Sequence, residues 1–63
     1  MCESTVFLDE GGEVHEVMRE VTRIVMEDTR AIITNIIGEK MVLESVTLKE
    51  ANLLSRGLVF RRL

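Results

Sequence analysis

The chain has 63 residues, a net charge of −3 and one cysteine, and its only aromatics are Phe7 and Phe60. A lone cysteine forms no internal disulfide, an acidic total disfavours a nucleic-acid surface, and no apolar run approaches the roughly 18 residues needed to span a bilayer. No basic stretch followed by an apolar one opens the sequence, so no signal peptide is expected, and an unpaired thiol suits a reducing, cytoplasmic setting. Residues 1–63 are expected to form a single small β domain. A domain near this size buries only about 60% of its unfolded surface, so dense aliphatic packing, a metal or oligomerisation must supplement the core. The expectation is a homodimer.

Residues 2–8 alternate, with Cys2, Ser4, Val6 and Leu8 on one face and Glu3, Thr5 and Phe7 on the other, which is a strand pattern. Asp9-Glu10-Gly11-Gly12 then reads as a hairpin turn, the glycines supplying positive φ. Residues 13–27 are ambiguous. Val14, Val17, Met18, Val21 and Val25 trace a helical stripe, yet the same stretch reads as two short strands, 14–18 and 21–26, broken around Arg19-Glu20. Residues 31–37 are β-rich on both faces, which predicts a strand covered by the core on one side and by a partner subunit on the other. Gly38-Glu39-Lys40 connects to a strand at 41–43. Residues 47–53 form either a strand or, over 49–52, a helical turn. Ser55-Arg56-Gly57 turns into a closing strand at 58–61. Short turns at fairly even spacing predict an all-β fold, a small antiparallel meander or partly open barrel of about six or seven short strands.

Cys2 carries the most chemical potential. If Met1 is removed, the Cys2 thiolate and its free amine close one five-membered chelate ring. If Met1 stays, its amine, the Cys2 amide nitrogen and the thiolate close two fused rings. Both suit a metal that prefers square-planar nitrogen and sulfur, such as Ni(II) or Cu(II). The plainer alternative makes Cys2 a small apolar residue of the first strand. His15, the only histidine, is either a partly exposed strand residue between Glu13 and Glu16 or a second ligand, although the hairpin places it opposite residues 6–8, several residues from Cys2. No catalytic constellation surrounds either residue. The carboxylates Asp9, Glu10, Glu13, Glu27 and Asp28 lack EF-hand spacing and read as a solvated acidic surface. Met18, Met26 and Met41 read as core filler. Arg56, Arg61 and Arg62 cluster near the C-terminus and keep a small RNA-binding module as the alternative function, but the chain lacks aromatic stacking platforms.

Met1-Cys2-Glu3, then Val6 and Leu8, an acidic glycine turn, Asn35-Ile36-Ile37-Gly38-Glu39-Lys40 and a final hairpin together resemble the CooT family of very small nickel-binding proteins, associated with maturation of nickel carbon monoxide dehydrogenase. The likeness runs over essentially the whole chain, and the cysteine at position two is its most specific element. It implies a small β fold with strands over 13–27, a homodimer, a nickel enzyme as client and Ni(II) coordination centred on Cys2, the one ligand it carries over. Ile36-Ile37 before Gly38 and His15 depart from the family pattern and leave the particular client enzyme open.

Overall fold

A computed structural model describes residues 3–63, which form six strands: β1 (Ser4–Glu10), β2 (Glu13–Glu27), β3 (Arg30–Asn35), β4 (Lys40–Leu43), β5 (Val46–Asn52) and β6 (Gly57–Arg62). The alternation in β1 is used as expected: Val6 and Leu8 are buried, while Phe7 on the opposite face is half-buried. Glu10 opposes Glu13 across a two-residue loop in which Gly11 and Gly12 both have positive φ, as a type I′ hairpin requires. Residues 13–27 are one long strand, neither a helix nor two strands. The break anticipated at Arg19-Glu20 is instead a bend: Glu20 has φ 55° and the β1–β2 register slips there. An extra residue on one strand of a pair turns it sharply without ending it. Residues 46–52 are likewise a strand and not a helical turn.

All six strands belong to one sheet, in the order β4-β3-β2-β1-β6-β5. Four pairings are antiparallel; β1 and β6 run parallel, Thr5 opposing Gly57 and Asp9 opposing Arg61. The sheet is therefore mixed and departs from a pure antiparallel meander at this one pairing. Local turn signals report only neighbours in sequence, and a parallel pair is made across a long connection that leaves no such mark. The long β2 is shared. Its first half pairs with β1, its second half with β3, and Val21 at the bend opposes both Ser4 and Asn35. The two arms fold back until the Val46 amide donates to the Thr29 carbonyl (2.8 Å), while β4 and β5 remain unpaired with each other, so the barrel is open.

Between the arms lies the core of Val6, Leu8, Val21, Ala31, Ile33, Leu43, Val46 and Phe60, with Val17, Met18, Ile24 and Leu58 packed against it. Met18 fills space as expected, but Met26 and Met41 are exposed at the rim because the barrel does not close over them. Residues 31–37 are less two-sided than the sequence suggests. Ala31 and Ile33 are buried, and the outward apolar surface is a short stripe in which Val25, Ile32 and Val42 oppose one another across β2, β3 and β4.

Candidate functional site

Cys2 lies outside the described residues, so its surroundings are approached through the residues that follow it. Glu3 carries a buried carboxylate oxygen, Oε2, that has no hydrogen-bond partner. Such an orphan acceptor in a folded protein calls for an explanation. Ser4 begins β1 at the margin of the sheet where the bend of β2, the β3–β4 turn and the β5–β6 turn also lie. The Ile36 amide donates to the Glu20 carbonyl (2.8 Å) on one side, and the Thr5 amide donates to the Arg56 carbonyl (2.9 Å) on the other.

Each of these turns is held by an asparagine and displays two aliphatic side chains. Asn35 Oδ1 accepts from the Ile37 (3.2 Å) and Glu39 (2.9 Å) amides, and its Nδ2 donates to Glu39 Oε1 (2.8 Å). Asn52 Oδ1 accepts from the Leu54 (3.1 Å) and Ser55 (3.0 Å) amides. Side chains that mimic a backbone turn in this way fix its shape. Ile36, Ile37, Leu53 and Leu54 are exposed all the same, Leu54 by 97%. Beside the β5–β6 turn a shallow, mostly apolar groove of about 260 Å³ is lined by Ser4, Val21, Arg23, Ile24, Leu53 and Leu58.

The opposite margin is ionic. Asp9 is buried; it accepts from Lys49 Nζ (2.7 Å) and the Gly12 amide (3.2 Å). The Lys49 ammonium holds the Asp9 carboxyl below the usual range, against a smaller opposing push from burial. Glu10 lies 3.1 Å from the Arg62 guanidinium and 3.8 Å from His15 Nε2, and Arg62 also donates to the Glu44 carbonyl (2.8 Å). Glu27 pairs with Arg30 at 2.7 Å. The carboxylates read as a solvated acidic surface are thus partly an ion-paired frame, with Asp9 inside it. Its spacing before Gly12 was the available signal, an Asx turn; the partner Lys49, forty residues away, left none.

His15 opposes Leu8, four residues along β1 from Ser4, roughly 13 Å at a strand's rise. The fold therefore sets His15 at the ionic margin, apart from the start of β1. Among the described residues, no group of three or more His, Cys, Asp or Glu side chains is arranged to hold a metal, and no helix is long and apolar enough to cross a membrane.

The family model of CooT, the CO dehydrogenase accessory protein, matches residues 1–59. This chain belongs to the CooT family. That membership makes it an accessory protein of the CO dehydrogenase type. The crystal structure of a candidate CooT from Carboxydothermus hydrogenoformans superposes with a TM-score of 0.86, covering 98% of each chain at 19% sequence identity, and shows the CooT fold in this chain. No curated protein matches it in sequence.

Proposed function

We propose that this chain is a nickel-binding accessory protein, metallochaperone-like, which holds Ni(II) as cargo through Cys2 at the N-terminus of a homodimer and passes it to a nickel enzyme. The observation that carries this reading is the family match extending from residue 1 across the sole thiol. The donor chemistry supports it. A thiolate with terminal amine or amide nitrogens gives a nitrogen–sulfur set that suits Ni(II), and only at a chain terminus do backbone nitrogens escape competition from a strand ladder. One side chain supplies one sulfur, and two-fold symmetry is the simplest way to add a second. His15 is held near Glu10 on the far margin, which favours leaving it out of the ligand set. The RNA alternative is weakened by Arg62, whose guanidinium is engaged by Glu10 and the Glu44 carbonyl.

Titration with Ni(II), on protein whose N-terminus is verified by mass spectrometry, tests the reading. Native protein is expected to develop thiolate-to-nickel charge-transfer absorption, easily seen in a chain without Trp or Tyr. Cys2→Ser is expected to lose it and His15→Ala to keep it; the reverse result makes His15 the site. Because the ligand is the thiolate, affinity falls as pH is lowered.

A further inference from the structure

We propose that the free edge of β4 pairs with β4 of a second copy, antiparallel and centred on Val42, so that two sheets run on as one. The pairing uses the lateral edge of the sheet, not the margin where β1 begins, and needs neither Cys2 nor nickel.

The two edges of the sheet are finished differently. β5 carries a register shift between Leu48 and Glu50, which makes Lys49 a bulge, and the Lys49 ammonium is drawn onto Asp9. Bulges and lysines on an edge strand are devices that refuse a further strand. β4 pairs with β3 alone, and its register from Thr34↔Lys40 to Ala31↔Leu43 is unbroken. The Asn35 amide donates to the Glu39 carbonyl (3.0 Å), which begins that ladder on a hydrogen-bonded pair. Alternation then turns the backbone groups of Met41 and Leu43 toward β3, and those of Lys40 and Val42 toward the open edge.

The side chains say which strand fits. Lys40, Val42 and Glu44 follow one another along the outer face, and all three are exposed. An antiparallel partner must therefore offer an acid opposite Lys40, an aliphatic opposite Val42 and a base opposite Glu44. Read in reverse, Lys40-Met41-Val42-Leu43-Glu44 is such a segment, so β4 complements itself. A two-fold axis at Val42 makes the Lys40-to-Glu44 match twice. It also joins the Val25–Ile32–Val42 stripe end to end with its mate, a continuous aliphatic band across six strands. Cross-strand pairs of both kinds stabilise a sheet. Ser45, with φ 55°, turns the chain away after Glu44, so the shared edge is short. It buries well under the about 800 Å² per partner of a stable interface, and a dissociation constant of roughly 0.1 mM is expected.

The first test needs no substitution. In native full-length protein, exchange of the Val42 amide followed by NMR should slow as concentration rises toward about 1 mM, while the Leu43 amide, already bonded to β3, should not respond. An edge that takes an extended segment of a different protein instead would leave the Val42 amide unprotected at every concentration, and that result overturns the proposal. The second test uses Cys2→Ser protein, in which no native thiol remains. Val42→Cys in this background should form a disulfide dimer on mild oxidation, because paired residues lie about 5.5 Å apart. Ile32→Cys should not, being roughly 14 Å from its mate at three strand spacings. Lys40→Glu and Glu44→Lys, each added to Val42→Cys, should lower the yield about tenfold. A mixture of the two should restore it as the mixed dimer, since only that combination sets acid against base at both positions. No disulfide through position 42, equal linking through position 32, or a mixture no better than its components overturns the proposal. Each of these outcomes leaves the nickel reading of Cys2 untouched.

Discussion

The two margins of this sheet are built from the same kinds of turn and are finished in opposite ways. At the hairpin margin, charges are matched within the chain: Asp9 to Lys49, Glu10 to Arg62, Glu27 to Arg30. At the N-terminal margin, the backbone is as carefully satisfied, by Asn35 and Asn52, yet four aliphatic side chains are exposed and, among the described residues, a Glu3 oxygen and Arg23 have no partner. At this margin the order of the backbone comes from the two asparagine side chains and owes nothing to ion pairs. The difference teaches that one sheet can fix its two margins by different means, side-chain ion pairs at one and asparagine-held turns at the other.

Substitutions can break that contrast. The calibration comes from the core both margins share. Phe60 is the largest fully buried side chain, and Phe60→Ala should cost about 3–5 kcal/mol, enough to unfold much of so small a domain, measured by urea titration of the far-ultraviolet signal. Lys49→Met should come next, because it strands the buried Asp9 carboxylate without its partner. Its signature is in pH. The native carboxyl sits below 3.8, so its pairing stabilises the fold above that value and the contribution is lost as pH falls toward the depressed native value. Thermal melts from pH 2 to 7 should show Lys49→Met less stable at neutrality and losing the acid limb that native protein displays; identical profiles would show that the pair does nothing for the fold. Asn35→Ala removes the acceptor of two turn amides and should cost about 1–2 kcal/mol. At the bottom of the scale, Leu54→Glu should change the intrinsic stability of the fold by less than about 0.5 kcal/mol. If Leu54→Glu destabilises the fold as much as Lys49→Met, the two margins do not differ in kind.

How much of this was legible in the sequence follows the range of the signals. The alternation of residues 4–8, the Gly11-Gly12 loop, the Asn35-to-Lys40 turn and the all-β class are local features, and local chemistry announces them. Residues 13–27 defeated periodicity because β2 changes partners midway: bulged registers near Val17, Arg19-Glu20 and Thr22 shift which residues face inward, and a valine stripe spaced like a helix results. The parallel β1–β6 pairing, the burial of Asp9 by Lys49 and the exposure of Met26 and Met41 all depend on residues far apart in sequence, so no window of the chain contains them. Cys2 was singled out by being alone and next to the terminus. The groove near Ser4 could not be, since its walls come from β1, β2, the β5–β6 turn and β6.

The parallel strand has a consequence for how the molecule is made. β1 precedes the other strands and finds β2 at once through a two-residue loop, but its other edge is filled only by Gly57–Arg62, the last strand in chain order. Contacts of that sequence separation form late, because a long stretch of chain must be closed before they are rewarded. Of the six strands, β1 is therefore the first made and among the last to gain its second neighbour.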